Sequence, residues 1–313
     1  MSPATCPVSQ VVHPQNVLEG AGVRLKRSFP TYLLDFPDPF LLFDHFGSDN
    51  PADYLPGFPT HPHRGIETVT YMLEGTVAHR DSLGNAGVIG AGDVQWMTAG
   101  RGILHEEMPK GVNGKMEGFQ LWVNLPGYLK MTRPAYQEIS ARNIPIVRRK
   151  DGSTVRLIAG ELDGIVGPVV GIAADPTYLD VEMPAESTFS MPVERGRTIL
   201  AYLFRGQACF EEPPPPGDEM PASSPLPVAP LAYGVPSAEP PDEGWLAAPK
   251  LLLFGEGERL LARTASEPAR FLVFLGRAMH EPIVRYGPFV MNTREEIEDT
   301  LRDLRSGRFI VAD

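Results

Sequence analysis

The stretch Phe58–Arg80, FPTHPHRGIETVTYMLEGTVAHR, places two of the chain's seven histidines, His61 and His63, one residue apart at the start of an apolar, β-branched run. Residues two apart in a strand point to the same face, so imidazoles at this spacing converge on one point. That is half a metal site, and a weak motif alone, since lone histidines are usually hydrogen-bonded core or rim residues. A second half follows in Gly92–Pro109, GDVQWMTAGRGILHEEMP, where His105 and Glu107 are again two apart. Two pairs at matched spacing on two strands can aim four ligands inward. Three neutral imidazoles and one carboxylate form a nitrogen and oxygen set suited to Fe(II), Mn(II), Ni(II), Cu(II) or Zn(II), with positions open for water or substrate in an octahedral ion. Strand parity also puts Glu67 on the face of His61 and His63, so Glu67 competes with Glu107 for the carboxylate position. Glu106 should point the opposite way, to solvent. His45 in FDHFG and His79 in AHRDSLGN read as turn or surface residues rather than pocket walls.

Outward from these strands, short segments rich in Val, Ile, Tyr, Phe and Trp alternate with Gly, Pro, Asn and Asp from Val23 to Leu125. Gly57, Gly65, Gly75, Gly92, Gly100 and Gly102 supply tight bends around them. The same texture resumes after the basic connector SARNIPIVRRKDG, in STVRLIAG, TYLDVEM, RTILAYLFRG, KLLLFGEGERLLAR and ARFLVFLG. The connector is a solvated linker, or an anion patch. The fold expected is all-β, two barrels or sandwiches, with residues 1–140 carrying the metal site and 141–313 forming a second β domain. Residues 211–249 read as a proline-rich insertion, since proline removes ladder donors and cannot continue a central strand. Near the end, NTREEIEDTLRDLRSGRF predicts one helix: Thr293 and Glu296 form a capping box, Ile297, Leu301 and Leu304 make an apolar stripe, and Gly307 ends it.

The 313 residues carry 39 acidic and 28 basic side chains, a formal charge of −11, which argues against direct nucleic-acid binding through phosphates. Cys6 and Cys209 are too few for a disulfide framework or a thiolate cluster, which fits a reducing compartment. The amino terminus lacks the apolar core of a signal peptide, and no run of about 18 apolar residues could span a bilayer. An intracellular protein is expected, cytoplasmic, or nuclear in a eukaryote, with no membrane role.

Four blocks, THPHRGIETVTYMLEG, GDVQWMTAGRGILHEEMP, FQLWVNLP and EPIVRYGPFVMNTREEI, resemble the pirin family of the cupin superfamily, over about Phe43 to Ile297. The resemblance implies two cupin barrels facing one another, with iron in the first only. Carried over residue by residue, it places the metal ligands on His61, His63, His105 and Glu107. The chain itself agrees on the second barrel, because no histidine lies between His105 and His280. It departs from the family in the longer proline-rich segment.

What the resemblance implies about function divides in two. One reading is a quercetinase-like dioxygenase that opens a flavonol ring with O2 and releases carbon monoxide. The metal would acidify the flavonol 3-hydroxyl, Glu107 would take its proton, and Trp96, Met97 and Phe58 are candidate walls for an aromatic pocket. The other is a co-regulator that meets protein partners according to the oxidation state of its iron. One unit of charge is felt over only about 8 Å of solvent, so that reading needs the metal close to the partner surface. A structural metal that staples the barrel is the third and plainest option.

Overall fold

The computed structural model describes residues 3–212 and 244–311. The chain divides into two compact β units, one comprising Gln15–Ile144, Pro168–Asp175 and Arg277–Asp313, the other Met1–Pro14, Pro145–Gly167 and Pro176–Gly276. A single cut at 140/141 is therefore not how the chain divides. Strand pairing is the reason. Val8–Val12 pairs with Lys250–Phe254 in the second barrel, and the carboxy-terminal helix packs Ile297 and Leu301 with Phe289, Met291 and Phe309 in the first.

The histidine-bearing unit is built from two antiparallel sheets. The larger runs Ala135–Ile139, Val94–Thr98, Ile66–Glu74, Met116–Asn124, Phe40–Ser48, Val23–Phe29 and Gln15–Glu19. The smaller runs Phe58–His63, Ile103–Lys110, Thr76–Asp81 and Ala86–Ile89. Phe40–Ser48 and Ile66–Glu74 each bury seven consecutive residues, so both faces of these strands are covered, and the buried stretches include the polar Asp44, His45, Glu67, Thr68 and Thr70. Thr76–Asp81 does alternate, turning Val77 and His79 inward. Between the two strands that start the site, Gly65 breaks the run at φ +77°, and a Cβ there would stand 2.0 Å from the Val290 carbonyl oxygen. Only glycine fits that turn.

The other unit is a ten-stranded antiparallel arrangement around Arg197–Cys209, which pairs with Lys250–Phe254 and with Trp245–Ala247. Its core includes Leu157, Leu179, Val181, Phe189, Phe210 and Phe271. Each such side chain contributes about 1.5–3 kcal/mol by leaving water. Cys6 and Cys209 are buried and unbonded to each other. The basic connector is not a plain linker: Ile146–Arg148 is a strand with Val147 buried, and Arg149 pairs with Asp151 and Asp163 at 3.5 and 3.0 Å.

The predicted helix spans Arg294–Arg305, with the Thr293–Glu296 capping box formed and Gly307 at φ +71° beyond its end. No helix among the described residues is long and apolar enough to cross a membrane.

Of the proline-rich segment, residues 213–243 lie outside the described residues. Its carboxy-terminal edge is structure rather than insertion, because Trp245–Ala247 pairs with Gln207–Cys209. A Cβ on Gly244 would lie 3.0 Å from Glu211 Oε2, so the chain enters and leaves the segment at nearly one point. Loop-closure entropy changes slowly with length. Replacing 213–243 by a short Gly-Ser link should leave a cooperative thermal transition within a few degrees of the original, checked by calorimetry.

Candidate metal centre

Phe58–His63 and Ile103–Lys110 are antiparallel neighbours, with His105 directly opposite His61 and Ile103 opposite His63. The expected convergence follows: His61, His63 and His105 bring one ring nitrogen each within 4.8 Å of one another. Their ring centroids are 4.4, 4.9 and 5.0 Å apart. Among the described residues this is the one His, Cys, Asp or Glu group that gathers in this way.

The hydrogen bonds decide which nitrogens face inward. His61 Nδ1 lies 2.9 Å from the Pro59 carbonyl and His63 Nδ1 3.4 Å from the Pro288 carbonyl, contacts in which the ring N–H donates. In the neutral rings both Nε2 atoms are then lone pairs, and they face each other at 3.1 Å. Two lone pairs at that distance repel unless a cation lies between them. His105 is 2% exposed and both its ring nitrogens are buried without a hydrogen-bond partner among the described residues, an arrangement that is costly in a protein interior. Burial, then the charges of His105 and His61, hold His63 well below the usual imidazole range. Burial, reinforced by His61, lowers His105 to about 3. His63 and His105 are thus neutral donors; His61 and His63 are carbonyl-oriented as metal-bound imidazoles usually are, and the three rings could hold a divalent transition ion.

Glu107 stands on the strand of His105, in regular register with Thr76–Asp81, where it faces His79. Against Phe58–His63 the register slips between His105 and Glu107, a bulge that parity alone does not foresee. Glu107 lines the cavity of about 540 Å³ that His61 and His63 also line. The Thr70 hydroxyl lies 3.2 Å from Glu107 Oε1 and 2.8 Å from Gln120 Oε1. Burial raises the Glu107 pKa, against the opposing charge of His61.

Glu67, the rival carboxylate, is occupied elsewhere. It accepts from Trp96 Nε1 at 3.1 Å and from the Thr98 hydroxyl at 2.8 Å. The parity that placed it with the histidines is broken at Gly65. Burial raises its pKa from 4.5 to about 7, offset in part by those two donors. A raised folded-state pKa means that the folded protein holds the proton where the unfolded chain does not, so stability present below pH 4.5 is lost as pH rises through about 7. At 1.36 kcal/mol per unit this is on the order of 3 kcal/mol. Urea titrations from pH 4 to pH 8 should show the loss in wild type and a flatter profile in Glu67→Gln.

Glu106 points away as expected, bonded to Arg80 at 2.6 Å and to Thr60 at 3.2 Å. His45 and His79 are not turn or surface residues. They are 8% and 5% exposed on strands, each 2.8 Å from a carboxylate, Glu117 and Glu138 respectively. Trp96 and Met97 belong to the core, whereas Phe58 does line the cavity. Sequence reading missed Trp122, Arg27, Asp44 and Arg285 on the same walls.

Comparison with known proteins agrees with this geometry. Residues 22–123 match the family described as Pirin, and residues 236–310 the Pirin C-terminal cupin domain. A pirin-like protein of Caulobacter vibrioides is 41% identical over 97% of this chain and 99% of its own length. The chain belongs to the pirin family. A Pseudomonas aeruginosa protein provisionally named a quercetin 2,3-dioxygenase is 42% identical over 94% of each chain. Among solved structures, the quercetin 2,3-dioxygenase of Acinetobacter baumannii superposes with a TM-score of 0.81 at 32% identity, over 98% of this pirin and 99% of that chain. Both units are thereby cupin domains.

Proposed function

We propose that this pirin is a metal-dependent dioxygenase of the quercetin 2,3-dioxygenase type, acting on a flavonol with O2. The observation that carries the reading is one cavity, lined by His61, His63 and Glu107 at one side and by Phe58, Trp122 and Phe46 around it, with a volume fit for an aromatic bicycle and its pendant ring. Names borne by relatives at 42% and 32% identity support it. His61, His63, His105 and Glu107 would hold the ion, with Fe(II) favoured by the family resemblance and Mn, Ni, Cu or Zn sharing the donor preference. A bound divalent ion would supply the Lewis acidity that lowers the pKa of the substrate's hydroxyl.

The chain's own residues do the rest. Glu107, lining the same cavity, would take the hydroxyl proton. The Thr70 hydroxyl orients its Oε1. The Pro59 and Pro288 carbonyls fix the tautomers of His61 and His63. Apolar walls from Phe58, Leu25, Val77 and Met116 hold the rings and exclude water. A co-regulator acting through protein partners would draw on the same imidazoles, and no separate observation among the described residues favours it.

The test is quercetin consumption and carbon monoxide release under O2 by the metal-loaded protein. The reading requires turnover in wild type and its loss in His61→Ala. Absence of turnover with every one of the five ions would overturn it.

A further inference from the structure

The cavity that Glu107 lines also carries a cation that the proposed chemistry has not used. Arg285 comes from the Val284–Tyr286 strand of the carboxy-terminal segment. Its Nε donates to the Gly287 carbonyl at 3.0 Å, and its guanidinium carbon lies 5.1 Å from the centre of the Trp122 ring. His63 meets the same indole edge-on at 5.0 Å. The guanidinium and a metal-competent imidazole therefore flank one aromatic wall.

The cavity's second arginine is spoken for. Arg27 forks onto Asp44 at 2.8 and 2.7 Å and reaches Glu19 at 2.7 Å. Among the described residues Arg285 makes no ion pair with a carboxylate, and its terminal nitrogens make no hydrogen bond. A guanidinium fixed at Nε, stacked on an indole and lining a ligand-sized cavity can receive an oxyanion on its outer donors.

From this arrangement we infer that Arg285 is a specificity residue that selects the ligand as its anion, pairing with an oxygen that shares the negative charge of an ionised hydroxylated aromatic. The inference deepens the flavonol reading and rests on it for the substrate class. No bond is made or broken in the selection. The ligand's proton passes to solvent or to Glu107, and Arg285 keeps its own.

The experiment uses the full-length protein stripped of metal by a chelator, so that no ion contributes to acidifying the ligand. Quercetin binding is followed by tryptophan quenching and by the red-shifted absorption that marks ionisation of a conjugated phenol. Unsubstituted flavone, which has no ionisable oxygen, is the neutral probe. Arg285→Met should weaken quercetin binding by about tenfold, the scale of one lost charge-assisted hydrogen bond. It should also abolish the red shift and leave flavone affinity unchanged, which shows an intact cavity. Arg285→Lys should restore part of both quercetin effects. Equal quercetin affinity in wild type and Arg285→Met overturns the inference, and so does an equal loss of quercetin and flavone, which would make Arg285 a mere packing group on Trp122. The outcome is separable from the dioxygenase reading: charge-selective binding without turnover keeps the subsite and removes the enzyme, while turnover with unaltered Arg285→Met binding does the reverse.

Discussion

Glu107→Gln is expected to lower flavonol turnover by roughly 100-fold or more, the usual scale for a general base, while the protein retains most of its metal. An amide oxygen can still coordinate, but it cannot accept the proton of the 3-hydroxyl. The surroundings of Glu107 make the substitution informative. Its Oε1 is met by the Thr70 hydroxyl, which also reaches Gln120, so glutamine can keep the side chain in place. Steady-state rates at equal metal loading check the point. Wild-type turnover in the variant would show that Glu107 serves as a ligand alone and that the acidified hydroxyl loses its proton to water.

The largest structural effect is expected at Lys130, which is 1% exposed. Its ammonium donates to the Gly65 carbonyl at 2.9 Å, the Val290 carbonyl at 2.9 Å and Asn124 Oδ1 at 2.8 Å. Two of those acceptors flank the centre. Gly65 closes the turn two residues after His63, and Val290 lies two residues beyond Pro288, whose carbonyl faces His63 Nδ1. Lys130→Met fills similar volume but leaves three buried acceptors unmet. A loss of about 3–5 kcal/mol is expected, since each unsatisfied group costs about 1–3 kcal/mol. Metal affinity should also fall by about 10- to 100-fold, as for other disrupted groups behind a ligand. Urea titration and metal-binding calorimetry measure the two effects. An unchanged denaturation midpoint would mean that water replaces the ammonium.

Much of the centre was legible because strand parity is local. The i, i+2 spacing of His61 with His63 needs no long-range information, and the Thr293–Glu296 capping box is likewise contained in four residues; Glu107 lies outside the group that His61, His63 and His105 form. The inward turn of His79 is legible too, in its alternation with Val77. Other features depend on pairings far apart in the chain. The place of Val8–Val12 is set by Lys250–Phe254. Arg285, Pro288 and Val290 reach the centre from a hairpin more than 150 residues after His105. Arg64 is held by Asp303 at 3.0 Å and Thr300 at 3.2 Å on the carboxy-terminal helix. A helix that carries no chemistry of its own thus anchors the residue beside His63. The departure of Glu67 from the site required Gly65's positive φ, which a regular strand does not include.

All of this turns on whether the three imidazoles hold an ion, and elemental analysis of the reconstituted protein measures that directly. Wild type should carry close to one equivalent of a divalent transition metal per chain, and His61→Ala and His105→Ala should each fall well below one while remaining folded by circular dichroism. Full metal retention in both folded variants, or no metal in wild type after reconstitution with any of the five ions, would contradict the centre described here.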